Sequence, residues 1–364
     1  MRIGIVGTGK ICDIYLKNIK ERFTSNTVTA VADLLEERAR DKAKEYGIPY
    51  ALPTEELLIS DEVDAVLNLT IPAVHAEICE NAIRAGKHVF TEKPLATDFD
   101  DGKRLLDLAK EKGVLLGSAP DTFLGGGLQT VRSLLDEGAI GMPVGVAAFL
   151  MGRGPENWHP NPHFFYQPGA GPLFDVGPYY ITAMVTLLGP VKRLSAAAKI
   201  SFPERHITEG ARKGEKIPVT TPTYVAGTLE FVSGVIGTLI TTFDVYKSRV
   251  PRIDIYGSEG SLGVPDPNTF GGPVQLFKPG DSDWADVSIK HSYTENSRGI
   301  GLTDLTRAAE AGREPRANGT LALHCLEIMH GLLESGGSGS FYEMTTSCER
   351  PAPLATGLAD GTLD

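Results

Sequence analysis

A chain of 364 residues is too long for one ordinary domain and suits two. Hydrophobic residues make up 41% and charged residues 22%, and a formal net charge of -11 leaves no basic face for nucleic acid or an anionic membrane. The cysteines Cys12, Cys79, Cys325 and Cys348 are far apart and form no C-x-x-C pair, so they read as free thiols in a reducing compartment. No apolar run approaches the ~20 residues of a membrane span, and the chain starts on RIGIV without a basic and apolar leader, so a cytoplasmic location is expected.

In chain order, the first strand, Ile3–Val6, runs into Gly7-Thr8-Gly9-Lys10-Ile11, which opens a helix. A first glycine allows the tight turn, a second lets the backbone approach a pyrophosphate, and the helix amino-terminus favours its charge. Cys12 stands at the third fingerprint position, where Gly or Ala is usual. The second strand, Val28–Asp33, ends on a carboxylate at the spacing expected of a ribose 2′-hydroxyl ligand. Asp33 also reads as a cap for the helix Glu36–Tyr46, and one residue can do both. A 2′-phosphate would meet Asp33 as a like charge, and only Arg38 lies near to compensate, so NAD is expected over NADP.

Strands Ala65–Thr70, His88–Thr91 and Val114–Gly117 follow, with a helix Phe99–Lys112 and with Gly47 and Gly113 placed as left-handed end caps. Such alternation predicts a doubly wound parallel sheet, of class α/β, over residues 1–122. Thr70, Ile71, Pro72 and His75 follow a strand end and line up with the nicotinamide-ribose side; His75 reads equally as a packing residue. Glu92-Lys93-Pro94 closes KHVFTEKP, at the carboxyl end of a strand, where ligands sit in open α/β sheets.

After about residue 122 the pattern changes. A helix Gln129–Asp136 leads into period-two alternation, clearest in Thr228–Phe243, and then into RIDIYG. Residues 123–348 therefore read as an α+β domain with a large, mostly antiparallel sheet, and 349–364 as an arm or loose tail. Glu204–Lys216 is a hydrophilic loop, either a subunit arm or a lid.

Alcohol oxidation needs a group that takes the hydroxyl proton and a cation that stabilises the oxyanion. Lys93 can serve either purpose. Asp175 and Tyr179 are four apart, so one helix would project both from one face, though a helix cap and a buried tyrosine fit the spacing as well. In the segment 152–172, Trp158, His159, Asn161, His163 and Tyr166 are the candidate contacts for a hydroxyl-rich substrate, or parts of a covering lid. The prolines at 160 and 162 exclude a helix that would pair His159 with His163 on a metal, so no metal is expected.

The turn GTGKIC, the EKP tripeptide, the D-x-G-x-aromatic cluster and the later IYGSEGSL together resemble the glucose–fructose oxidoreductase/inositol dehydrogenase (Gfo/Idh/MocA) family. The resemblance spans roughly residues 2 to 340. It implies an N-terminal Rossmann domain and a C-terminal domain whose open sheet joins subunits in a homo-oligomer. It also implies a nicotinamide-dependent oxidoreductase acting on a secondary alcohol or ketone of a sugar, cyclitol or glycoside, with a dihydrodiol or aldose C1 dehydrogenase as the alternative. Lys93 and Asp175 match the family's catalytic positions. Tyr179 stands where many members have histidine, as in the tyrosine subgroup. Ionising a free tyrosine at pH 7 costs about 4 kcal/mol, so Tyr179 is expected to act as the acid/base with its pKa lowered by Lys93. Relatives that only sense dinucleotide are expected to lack the lysine, so the enzyme reading is preferred.

Overall fold

A computed structural model describes residues 1–159 and 161–364. The N-terminal part alternates β1 (Arg2–Val6), α1 (Cys12–Glu21), β2 (Thr27–Ala32), α2 (Glu36–Tyr46), β3 (Tyr50–Ala51), α3 (Thr54–Ile59), β4 (Ala65–Asn68), α4 (His75–Arg84), β5 (His88–Thr91), α5 (Phe99–Lys112) and β6 (Leu116–Ser118). The six strands are parallel, in the order β3-β2-β1-β4-β5-β6. Both faces are covered, which is why Ile3, Ile5, Val66 and Leu67 are fully buried and the strands show no polar alternation. The strand order reverses between β1 and β4, so the crevice above their carboxyl ends is the ligand position.

Helix boundaries follow local chemistry. The Asp98 side chain accepts from Asp100 N and Asp101 N to start α5, and Gly113, at φ 67°, ends it. The structure thus places the expected caps, including Gly47 at φ 72° after α2.

The second part comprises α6 (Gly126–Asp136), β7 (Pro143–Met151), α7 (Gly171–Asp175), α8 (Gly177–Leu188), β8 (Val191–Lys199), β9 (Glu204–His206), β10 (Lys216–Pro218), β11 (Tyr224–Phe231), β12 (Ile236–Thr242), β13 (Ile253–Gly257), β14 (Gly260–Val264), β15 (Val274–Phe277) and β16 (Ala285–Val287). It closes with α9 (Ile300–Ala311), α10 (Gly319–Ser338) and β17 (Tyr342–Glu343). Nine strands form one sheet, β16-β15-β14-β13-β7-β12-β11-β8-β17, antiparallel except where β7 meets β12. The alternating run Thr228–Phe243 is a hairpin of β11 and β12. Val225, Leu229 and Phe231 turn into the core and Tyr224, Ala226 and Thr228 to the other face.

Two features depart from expectation. Asp175 and Tyr179 are not on one continuous helix: α7 ends at Asp175 and α8 starts at Gly177, with Val176 between them. Pro178 lacks the amide that would bond back to residue 174, so the break falls there. The tail is also not loose. Arg316 donates to Ala352 O at 3.0 Å and to Asp364 Oδ1 at 2.9 Å, Leu354 N donates to Gln129 Oε1 at 2.7 Å, and Leu354 is 3% exposed. The chain from α9 onward also returns to the first sheet, with α9 on β5 and β6 and α10 on α5 and β6.

Because Leu354 belongs to the core, Leu354→Ala should lower unfolding stability by about 2–4 kcal/mol in urea titration. A dangling tail would show a change under ~0.5 kcal/mol.

Candidate active site

The phosphate turn is shaped by backbone approach. Gly7 has φ 98°, and a Cβ there would lie 2.7 Å from the Leu69 carbonyl and 2.9 Å from Thr70 N, so only glycine fits between β1 and the loop after β4. A Cβ on Gly9 would meet nothing within 4 Å, and Gly9 and Lys10 are exposed at the mouth of α1. The Asp33 carboxylate accepts from Thr8 N and Thr8 Oγ1, both at 2.8 Å, and from Leu35 N at 2.9 Å. Burial works to raise its pKa, but these donors and Arg38 outweigh it and hold Asp33 below the ordinary range. Leu34 and Ile71 are 96% and 67% exposed beside this turn, apolar surface suited to a base. The close-approach glycine, the open turn at the mouth of α1 and the ionised carboxylate ending β2 therefore fit a dinucleotide.

Thr70 donates to Asn68 Oδ1, and its carbonyl lies 3.0 Å from His75 Nε2; His75 Nδ1 lies 2.7 Å from Pro94 O. His75 is fully buried, with both ring nitrogens on carbonyls. It fastens the loop after β4 to the turn after β5, and no ring nitrogen is left to meet a cofactor. Burial lowers its pKa, and a neutral ring can donate to only one of the two carbonyls.

Lys93 Nζ lies 3.1 Å from Asp175 Oδ1, donates also to the Asp175 carbonyl, and sits 5.4 Å from the centre of the Tyr179 ring. Burial works against its charge, but Asp175, Tyr179 and Glu92 outweigh it and raise the lysine pKa, so Lys93 stays an ammonium. Tyr179 is 8% exposed, and burial pushes its phenol above the ordinary value. Lys93 and Arg298 oppose that shift without reversing it, and Glu92 adds to it. The expected lowering by Lys93 is thus present as a force but not as the net result.

Several residues of this cluster carry no local signal. Tyr15, on α1, donates to Glu92 Oε1 at 2.8 Å. Asp121, after β6, accepts from Gly299 N at 3.0 Å and Gly301 N at 3.1 Å, and burial pushes its carboxyl up to about 6. Arg298, just before α9, donates to Asn296 Oδ1 at 3.0 Å and to Asn268 Oδ1 at 2.9 Å, and its charge works to lower the Tyr179 pKa.

The substrate candidates of segment 152–172 fall elsewhere. Tyr166 is fully buried in a small cluster with Phe165, Ile207, Ile217, Val219 and Phe243. Asn161 Oδ1 accepts from Arg212 at 3.1 Å, and His163 lies 3.3 Å from Glu215, so the loop Glu204–Lys216 folds over this segment. His159 packs edge-on to Trp158, Phe164 and Phe165, while Trp158 is 65% exposed. Among the described residues, no hydrogen bond, ion pair or ring contact joins these five to Lys93, Asp175 or Tyr179. Pro160 lies outside the described residues. Among those described, no group of three or more His, Cys, Asp or Glu could hold a metal.

Residues 1–119 match a model described as an oxidoreductase family with an NAD-binding Rossmann fold, and residues 128–263 match the GFO/IDH/MocA C-terminal domain. The chain belongs to the Gfo/Idh/MocA family of oxidoreductases. Within this family it is 26% identical to a 1,5-anhydro-D-fructose reductase of Ensifer adhaerens, over 98% of this chain and 97% of the relative. It is 34% identical to a dTDP-3,4-didehydro-2,6-dideoxy-alpha-D-glucose 3-reductase of Streptomyces violaceoruber, over 54% of this chain and 57% of that relative. The match thus spans just over half the length of that reductase. A solved levoglucosan dehydrogenase with NADH and levoglucosan superimposes with a TM-score of 0.82 at 20% identity, covering 95% of this chain and 100% of that one. An NAD binding oxidoreductase from Klebsiella pneumoniae gives 0.83 at 19% identity, over 95% and 99%. At such identities these two likenesses show the fold alone. Among the described residues, no helix is long and apolar enough to cross a membrane.

Asp121 gives the site a pH signature. Its folded pKa of about 6 lies above the ordinary ~3.9, so the folded chain takes up a proton before the unfolded chain does. The stability this contributes is complete below about pH 4 and is lost as pH rises through about 6. Asp121→Asn keeps the acceptor for Gly299 and Gly301 and removes the titration. Between about pH 4 and pH 7 the stability difference, parent minus variant, should fall by on the order of 2 kcal/mol in urea titrations at each pH.

Proposed function

We propose that the chain is a nicotinamide-dependent oxidoreductase interconverting a secondary alcohol and a ketone on a sugar, cyclitol or glycoside. The observation that carries this reading is the ammonium of Lys93 held between Asp175 and the ring of Tyr179, above the carboxyl end of β5. The nicotinamide cofactor supplies the acceptor or donor of the hydride. NAD is proposed over NADP, because the Asp33 carboxylate, held ionised by Thr8 and Leu35, repels a 2′-phosphate. Relatives named for 1,5-anhydro-D-fructose, myo-inositol and levoglucosan support the carbohydrate class.

In this reading Lys93 binds the reacting oxygen and offsets negative charge as it develops there, and Asp175 holds the ammonium in place. Lys93 is not the base, because its surroundings keep its proton on. Tyr179, kept as a phenol by burial, donates its proton to the carbonyl oxygen during reduction and must lose it before the alcohol is oxidised. Reduction therefore suits neutral pH, and oxidation should accelerate as pH rises. The open face of the nine-stranded sheet, with Ile236 at 49% and Tyr256 at 39% exposure, is proposed to pair with a second copy of the chain. Light scattering in solution would find a monomer if that pairing is wrong.

NADH absorbance read against monosaccharides, inositols and anhydrosugars, with NAD and NADP in parallel, tests the reading directly. With whichever compound turns over, Tyr179→Phe and Lys93→Met should each lose roughly 10²–10⁴-fold in kcat. Near-parental turnover by Tyr179→Phe would remove the tyrosine from the chemistry, and no turnover on any polyol despite NADH binding would favour a sensor. Asp33→Ala should raise the NADP/NAD ratio of kcat/KM by about 10-fold or more, since it deletes a like charge facing the 2′-phosphate.

A further inference from the structure

His75 opens α4 with its ring buried between the loop after β4 and the turn after β5. Nδ1 lies 2.7 Å from Pro94 O, and Nε2 lies 3.0 Å from Thr70 O. Two carbonyls face one ring, and a neutral imidazole has a single N–H to give. Three observations decide which carbonyl receives it. Pro94 O is the nearer, and its contact is buried, whereas the one to Thr70 is only partly so. Thr70 is held without the ring, since its N and Oγ1 donate to Asn68 Oδ1 at 3.2 Å and 2.6 Å. Pro94 has no N–H, and Lys93 N donates to Glu92 Oε2 at 3.2 Å within the same turn, so the ring is what ties the backbone just beyond Lys93 to another element. A buried carbonyl left without a donor costs more than one that water can reach.

We propose that His75 is a positioning residue for Lys93, held as the Nδ1–H tautomer. Nδ1 donates to the Pro94 carbonyl and fixes the turn from which the lysine reaches Asp175. Nε2 carries the lone pair, and the Thr70 carbonyl is left an open acceptor beside the cofactor crevice. Ile71, the next residue, is 67% exposed, so the loop has room to ease the two acceptors apart. Free imidazole side chains favour the proton on Nε2, so this tautomer is one the packing has to impose. The charged groups acting on the ring are Glu92 and Lys93 at the end of β5, of opposite sign, and Cys79, one turn along α4, is kept a neutral thiol by burial. Burial also resists a second proton on the ring, so His75 is neutral above the ordinary histidine value of ~6.5. The inference rests on Lys93 being the group that meets the reacting oxygen, and on no property of the substrate.

The test uses the full chain with 15N-labelled histidine, without ligand, at a pH above ~6.5. Long-range 1H–15N spectra separate a protonated ring nitrogen from a bare one, and the His75 ring is assigned through its bonds to the backbone. The expected spectrum shows Nδ1 protonated and Nε2 bare. Nε2 protonated, alone or together with Nδ1, overturns the proposal. A second arm reads turnover with whichever compound the NADH screen finds. His75→Ala should lose about 10-fold or more in kcat, because a displaced reacting group costs on that order. An asparagine side chain places its amide nitrogen near Nδ1 and a glutamine near Nε2, so His75→Asn should recover most of the loss and His75→Gln little of it. Equal turnover in those two variants, or recovery by His75→Gln alone, overturns the proposal as well. Where a variant does not fold, the ring spectrum of the parent still decides. That spectrum needs no turnover, so it stands apart from Lys93→Met, whose near-parental turnover would sink the catalytic reading alone.

Discussion

A buried ammonium cannot stay charged in a protein without a partner, and the partner of Lys93 comes from the other domain. The lysine leaves the first sheet at the end of β5; the Asp175 carboxylate and carbonyl that receive it end α7. Desolvation alone would favour the neutral amine. With the carboxylate at 3.1 Å the balance reverses, and the site exists as a charged object only while the two parts are closed on each other. Breaking such a pair on one side leaves an uncompensated buried charge, which costs more than the pair itself contributes.

The same closure decides the state of Tyr179. A phenol 8% exposed loses most of the solvation a phenolate would need, and two nearby cations do not make up the difference. A histidine at this position would change charge near neutral pH, whereas the tyrosine holds its proton there. The phenol of Tyr179 therefore keeps its proton at neutral pH. The break between α7 and α8 matters here: it lets Asp175 turn to Lys93 while Tyr179 leads off in a new helix, with Pro178 ensuring that the two do not merge.

What could be read from sequence was what lies close along the chain. The turn after β1, the acid ending β2 and the lysine ending β5 each follow a strand by a fixed step, so their place at the sheet's carboxyl edge follows from the alternation. Asp175 beside Tyr179 was legible as a pair, but the helix break was not, since four-residue spacing fits one helix as well as two. In the aromatic loop 152–172 the place of Tyr166 was not legible, for a physical reason. Trp, His and Tyr suit a sugar surface and a small apolar core equally, and Tyr166 went to the core with Phe243. His75 stood at the right end of β4, but packing turned its ring to two carbonyls. Arg298, Asp121 and Tyr15 had no signal at all, because their relation to Lys93 and Tyr179 is made only by long-range closure.

That closure is wired at more than one level. The helix that follows the glycine turn carries Tyr15 and Asn18, and Arg22 caps its end. These hold Glu92, the backbone of Asn296 and Arg298, and the Ser297 hydroxyl, respectively. The loop they hold is the one capped onto Asp121 and followed by α9, which packs back on β5 and β6. Tyr15 thus places the carboxylate next to Lys93, and Asn18 and Arg22 hold the loop that carries Arg298. One helix therefore follows the glycine turn at its start and, three to ten residues further on and just past its end, holds the carboxylate beside Lys93 and the loop that carries Arg298. A shift of α1 would move all of them together, which makes the rigidity of this helix a condition for the chemistry as much as for binding.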